Sequence, residues 1–156
     1  MKLTKYGVYI NIWGSIVMSA VLSAALPLLS TGHVTLEGYF SEYIVSFFLS
    51  LFIKLFTPVL PLGEKFSDYC QAKEGTLGRQ LNTTLVTALM LSFVMSLAMT
   101  WWGLHGVPNY QSVYWASWIG AYPWVLVIVY ITSNIGLITG RPIVNRILNF
   151  EMKKAL

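Results

Sequence analysis

The amino-acid sequence predicts an all-α integral membrane protein with four transmembrane helices. The 156-residue chain is 56% hydrophobic and only 10% charged, with a mean hydropathy of +0.64, whereas a soluble domain usually has about 25% charged residues. Four apolar runs are each long enough to cross a bilayer core of about 30 Å as a helix. The basic residues are concentrated in alternate connecting segments, as expected if the runs cross a membrane.

The four apolar runs are continuous in their hydrophobicity. Continuous runs of this length are typical of helices, whereas the strands of a membrane barrel alternate in polarity over about 10 residues. Lys54 is the only Lys, Arg, Asp or Glu inside any run. The predicted spans are residues 8–29, 43–62, 83–102 and 118–138.

The basic residues predict the orientation of the chain. Nine of the ten Lys and Arg residues precede the first run, lie between the second and third runs, or follow the fourth. The loops at residues 30–42 and 103–117 contain no Lys or Arg. By the positive-inside rule, we expect a bacterial inner-membrane protein whose termini and middle loop are cytoplasmic. This orientation explains the basic residues that give the net charge of +4, so no nucleic-acid partner is predicted.

The second half of the sequence is similar to the first. Small residues recur every four positions in the first and third runs, and such spacing forms a ridge where two helix backbones can approach closely. We predict a parallel tandem repeat of two-helix units, residues 1–74 and 75–140, whose first helices pack together through these ridges. A serine-lined pathway at the repeat axis is the alternative. The ridge residues are Ser15, Ser19, Ser23, Ala88, Ser92 and Ser96.

The C-terminal segment, residues 141–156, is basic and amphipathic. Ile143, Ile147 and Leu148 are interspersed with Arg146 and two lysines. Such a segment is expected to lie along the inner leaflet as a cytoplasmic tail. A role in binding a partner is the alternative.

Lys54 is the main candidate for a functional residue. A lysine at the centre of a spanning helix costs about 2.5–3.5 kcal/mol on insertion scales, and intramembrane charges usually have a function. Glu42, Ser46 and Ser50 precede Lys54 at intervals of four, so the four side chains share one helix face. Tyr130 is the counterpart of Lys54 in the proposed repeat, and Asn134 lies one turn further along. We predict a substrate or ion pathway formed by Lys54, Ser46, Ser50, Tyr130 and Asn134.

A second interpretation of Lys54 stays open. Pro58 disfavours helical geometry at Thr57, so the second helix is expected to bend or end there. Lys54 would then lie about one turn from the break, and its long side chain would extend to the cytoplasmic lipid phosphates.

The order of these motifs resembles two kinds of membrane protein. The segments Ser19-Ala-Val-Leu-Ser23 and Ser92-Phe-Val-Met-Ser96, each followed by a second helix and a basic residue, resemble a bacterial family of two-helix membrane domains of unknown function. The tandem helix pairs also resemble the proteobacterial antimicrobial compound efflux family. That family has an acidic residue in its first helix and a Trp-Asn motif in its second, and the corresponding runs here have neither. The second resemblance therefore implies architecture only.

Two functions are compatible with the sequence. The first is a small transporter or channel-like protein acting as a homodimer, because four helices are few to enclose a pathway. The second is an accessory or scaffold subunit that packs against a larger membrane complex, because no ion or substrate motif is recognisable. The sequence contains no nucleophile with a base, no carboxylate pair and no phosphate-binding glycine loop, so no enzymatic activity, cofactor or metal is predicted.

Overall fold

A computed structural model describes the backbone of residues 5–57 and 59–154, without the side chains of residues 30, 31, 59, 60 and 150–154. Lys2 and Pro58, and the side chains of Lys153 and Lys154, lie outside this description. Four of the helices are long and apolar enough to cross a membrane. The chain is therefore an all-α membrane protein, as the sequence predicted. The helices are α1 (Lys5–Thr31), α2 (Leu36–Phe56), α3 (Val59–Tyr69), α4 (Leu77–Leu104) and α5 (Tyr110–Lys154).

The ends of α2 are set by a cap and a break. Thr35 is extended and accepts a hydrogen bond from the backbone N–H of Gly38 through its side chain, which satisfies one of the free N–H groups of the first turn. At the other end Thr57 is extended, with φ −100° and ψ 133°, the conformation favoured before a proline. The predicted run, residues 43–62, therefore began too late and continued too far, while the predicted end of the helix near Thr57 is confirmed.

The middle loop contains the short helix α3, which the sequence did not predict. Gly63 lies so close to α4 that a Cβ atom there would come 2.7 Å from the carbonyl oxygen of Thr83. The Ser67 hydroxyl lies 2.9 Å from the Thr83 hydroxyl and donates to the carbonyl of Arg79 at 3.2 Å. Arg79 also forms an ion pair with Asp68 at 2.7 Å. These contacts fix α3 against the first turns of α4.

The four spanning helices are arranged in the order α1, α2, α4, α5 around the bundle. α1 contacts α2 and α5, α4 contacts α5, and the contact between α2 and α4 is the smallest of these. α1 and α4 therefore lie diagonally opposite each other. The prediction that their ridges pack together is wrong, because the α1 ridge faces α2, where the Ser23 and Ser46 hydroxyls are 3.5 Å apart. In the α4 ridge, Ser96 accepts a hydrogen bond from Trp118 of α5.

An apolar core occupies the middle of this bundle. All four spanning helices contribute to it, and each of its side chains is at most 7% exposed. The predicted similarity between the two halves stays a prediction from the sequence. The core residues are Met18, Leu22, Ile53, Ala88, Leu91, Met95, Val125 and Val129.

The last helix continues without a break through the predicted start of the tail. α5 has 45 residues, which corresponds to about 67 Å at 1.5 Å per residue. A Cβ atom on Gly140 would come 2.7 Å from Ile10 and 2.8 Å from Trp13, and Val144 is only 1% exposed. The first turn of the predicted tail is thus packed as a continuation of α5 and does not begin a separate helix.

Candidate functional site

Lys54 lies in the last turn of α2, and its side chain points toward α1. The Nζ atom donates a hydrogen bond to the Ser15 hydroxyl at 3.3 Å. A Cβ atom on Gly14 would come 3.3 Å from the same Nζ, so a small residue at position 14 leaves room for the ammonium group. Ser15 is about 15 Å along α1 from Lys5 at 1.5 Å per residue. Of the two interpretations of Lys54, this geometry favours the one in which the side chain points into the bundle over the one in which it extends to the lipid phosphates.

A cavity of about 50 Å³ lies beside Lys54, where α1, α2, α4 and α5 meet. One water molecule needs roughly 10–15 Å³ of such space, so the cavity can hold a few waters or one small ion. Its polar lining consists of Asn11, Lys54, Thr84, Thr87 and Ser133.

Two glycines bring the helices together at this cavity. A Cβ atom on Gly136 of α5 would lie 3.3 Å from the Cα atom of Gly14, so the two backbones are almost in contact. One turn further along α5, the Trp13 indole N–H donates to the Thr139 hydroxyl at 3.0 Å. The wall between α1 and α5 is therefore backbone, which holds the polar groups of both helices close to Lys54.

The Lys54 amine beside the cavity has no carboxylate partner among the described residues. The ion pair between Arg79 and Asp68 joins α4 to α3 and does not involve Lys54. The Ser133 hydroxyl also lines the cavity, is shielded from solvent and has no hydrogen-bond partner among the described residues. An ammonium and a hydroxyl both offer N–H or O–H donors. The arrangement therefore suits an anion or ordered water.

Asn134 and Tyr130 are less directly involved than the sequence predicted. The Asn134 carbonyl oxygen accepts a hydrogen bond from the Thr84 hydroxyl at 3.1 Å, and its amide donates to the carbonyl of Tyr130 at 2.9 Å. Asn134 thus reaches the cavity only through Thr84. The Tyr130 side chain packs against the apolar core. The structure does not place either side chain in contact with Lys54.

Ser46 and Ser50 lie along the contact between α2 and α1. Both are fully buried, and their hydroxyls donate to carbonyls of their own helix, those of Tyr43 and Phe47. They share the face of Lys54 but do not line its cavity. The ridge residues that the sequence predicted for packing are at most 1% exposed: Ser15, Ser19, Ser23, Ala88, Ser92 and Ser96.

Sequence reasoning missed two lining residues that the ridges themselves indicate. Extending each ridge by one step of four residues toward the N-terminus of its helix leads from Ser15 to Asn11 and from Ala88 to Thr84. Both side chains line the cavity beside Lys54. Continuing the four-residue spacing beyond the small residues would have found them.

No protein-family model, no curated protein and no solved structure matches this chain. The two family resemblances therefore stay predictions. The molecule is defined by its own fold and site, as a membrane protein of four spanning helices with a lysine beside a small cavity.

The hydrogen bond between Lys54 and Ser15 can be tested by a double-mutant cycle. We expect Ser15→Ala to destabilise the protein when Lys54 is present and to have little effect in a Lys54→Met background. The coupling energy should be about 0.5–1.5 kcal/mol, the range for hydrogen bonds within membrane bundles and to charged groups. The free energy of unfolding is measured by titration with a denaturing detergent. Additive effects of the two substitutions would contradict the contact.

Proposed function

We propose that the protein is a small transport protein whose helix bundle binds a small inorganic anion beside Lys54. The observation that supports this is the ammonium group at the cavity where all four spanning helices meet, without a carboxylate partner in the described structure. Away from bulk water a single charge attracts an opposite charge strongly. Ionisable residues inside membrane helices commonly mark ion pathways.

The position of the core favours a transporter that changes conformation rather than a channel that stays open. The cavity beside Lys54 lies near the ends of the helices that carry Lys5 and Phe56. A second, larger cavity lies near the opposite ends. Met18, Leu22 and Met95 of the apolar core lie between the two and are fully buried. We propose that an anion passes only when the helices shift around this core, as in alternating access.

Replacement of Lys54 tests the proposed anion site. Vesicles containing the purified protein and a halide-sensitive dye should take up chloride, nitrate or thiocyanate faster than empty vesicles. Lys54→Met should slow this uptake by roughly tenfold or more, because loss of a charged contact costs about 1.5–3 kcal/mol. Lys65→Met is the control, since it removes the same charge from an exposed position on α3. Uptake unchanged in Lys54→Met, or absent in the native protein, would contradict the proposal.

We propose that both termini and the loop carrying α3 face the cytoplasm of a bacterium. The absence of Lys and Arg from residues 30–42 and 103–117 supports this orientation. The N-terminal end of α1, the C-terminal end of α2 and the first turn of α4 then lie on the inner side, together with the cavity beside Lys54.

The single cysteine allows a direct test of orientation. Cys70 is exposed just after α3, on the proposed inner side. A maleimide that cannot cross membranes should leave it unlabelled in intact spheroplasts and label it after permeabilisation. The control is Cys70→Ser combined with Val107→Cys, which places the thiol at an exposed position of the opposite loop and should be labelled in intact spheroplasts. The reverse pattern would contradict the orientation.

We propose that the functional unit is a homodimer. The outward face of α2 carries a row of apolar side chains at intervals of four, each 53–73% exposed. Such a row can pack against a second copy, against lipid, or against another membrane protein, so it also supports the alternative function of an accessory subunit. The row consists of Phe40, Ile44, Phe48, Phe52 and Phe56.

Native mass measurement after mild extraction distinguishes these assemblies. We expect a species of twice the 17.5 kDa chain mass. Phe48→Ala should shift it toward monomer, because the van der Waals packing that drives helix association in membranes is lost with the ring. Ile131→Ala, on an exposed face of α5, is the control. A monomer would contradict the dimer, and a stoichiometric second polypeptide would favour the accessory function.

A further inference from the structure

A second cavity, of about 620 Å³, lies at the opposite end of the bundle from Lys54. It lies where the C-terminal end of α4 and the N-terminal part of α5 meet α1 and α2. The contact between α2 and α4 is small, which leaves space between them. Its volume is in the range of small-molecule sites, about 300–1,000 Å³. The walls are mostly apolar and include Leu26, Met99 and Trp124.

Among the described residues that line this cavity, Glu42 is the only charged one. It lies in the second turn of α2, and its Oε2 atom is shielded from solvent with no hydrogen-bond partner among the described residues. A protonated carboxyl group would leave that oxygen equally unsatisfied, since no acceptor or donor reaches it. A buried polar group without a partner costs about 1–3 kcal/mol. Glu42 as a whole is only partly buried and lines the cavity, while this one oxygen of its carboxyl group has no partner among the described residues.

The nearby chain offers no Lys or Arg to neutralise Glu42, and the two histidines at this end, His33 and His105, do not line the cavity. Residues 30–42 and 103–117, which connect the helices at this end, contain no Lys or Arg. Lys54 is about 18 Å further along α2 at 1.5 Å per residue, and its Nζ atom is directed to Ser15. A cationic ligand in the cavity would supply the complementary charge.

The lining also restricts the kind of cation. Magnesium and calcium require about six to eight oxygen ligands, and the described residues contain no cluster of three or more His, Cys, Asp or Glu that could hold a metal. The Ser96 hydroxyl, a lining oxygen, is already engaged by Trp118 and by the carbonyl of Phe93. An organic ammonium needs one carboxylate and an apolar wall, and Trp124 adds an aromatic ring of the type that binds ammonium groups.

We propose that this cavity binds an alkylammonium group carried on an apolar chain. The ammonium lies against the Glu42 carboxylate, and the chain lies along Leu26, Met99 and Trp124. The shared chemistry covers a free single-chain amine and the ammonium headgroup of a membrane lipid. The site is separate from the cavity at Lys54, and its occupation does not depend on the proposed anion transport.

Binding of decylammonium to the purified protein in a neutral detergent tests the site. We expect saturable binding by calorimetry and a raised thermal unfolding midpoint, with decanol giving neither. Glu42→Gln should weaken binding by roughly tenfold or more, the loss expected for a charged hydrogen bond. Glu37→Gln is the matched control, because Glu37 is exposed one turn earlier on α2 and does not line the cavity. Equal binding by native protein and Glu42→Gln would overturn the proposal.

A second variant keeps the test valid if Glu42→Gln does not fold. Gly120 lines the cavity, and a Cβ atom there meets nothing within 4 Å. Gly120→Leu should therefore fold, fill part of the cavity and reduce decylammonium binding with Glu42 intact. Undiminished binding in this variant would place the ligand elsewhere and overturn the proposal.

Lipid analysis identifies the source of the ammonium group. Protein purified from membranes that contain phosphatidylethanolamine and phosphatidylglycerol is examined by native mass spectrometry. Retention of phosphatidylethanolamine by the native protein, and its loss in Glu42→Gln, would support the site with a lipid as ligand. Binding of decylammonium without lipid retention would support it with a free amine as ligand. If decylammonium and phosphatidylethanolamine each bind the native protein and Glu42→Gln equally, the proposal is overturned.

Discussion

The close approach of helices at Gly14 is the constraint on which the rest of the site depends. A Cβ atom on Gly14 would be tightly packed against the Lys54 amine, and one on Gly136 would be tightly packed against the α1 backbone at Gly14. A larger residue at position 14 would displace Lys54, and one at position 136 would push α5 away from α1. Because helix association in membranes depends on such packing, the same contact holds the bundle together and places the charge beside the cavity.

The two cavities contain ionisable groups of opposite kind. The one beside Lys54 is small, and five polar side chains line it, among them the lysine amine. The one at Glu42 is about ten times larger, and its ionisable group is a carboxyl group. An apolar core separates them. Neither group has an ionic partner among the described residues, and about 18 Å of α2 separates them. Ionisable groups inside a membrane bundle are costly, which is why both cavities are proposed as ligand sites.

The sequence predicted the class of fold because hydropathy reports directly on what a lipid environment requires. Length and apolarity identified the four spanning helices, and the residue before Pro58 indicated where α2 ends. The pairing of helices was not predictable in the same way. Ridges of small residues show that a helix has a close neighbour, but not which neighbour. The α1 ridge packs against α2, where Ser15 accepts a hydrogen bond from Lys54. The sequence predicted that this ridge packs against the ridge on α4.

The spacing of Glu42, Ser46, Ser50 and Lys54 placed Glu42 on one face of the second helix, but the sequence did not predict a cavity there. Hydropathy placed the start of the spanning run at residue 43, so Glu42 was counted with the preceding loop, residues 30–42. The cap at Thr35 starts α2 at Leu36 and so places Glu42 inside a spanning helix. The sequence did contain the signal, since Thr35 is followed by the acidic Glu37 in the first turn, where a negative charge favours a helix start. Capping residues, which hydropathy ignores, decide here whether a charged residue lies in water or in the bundle.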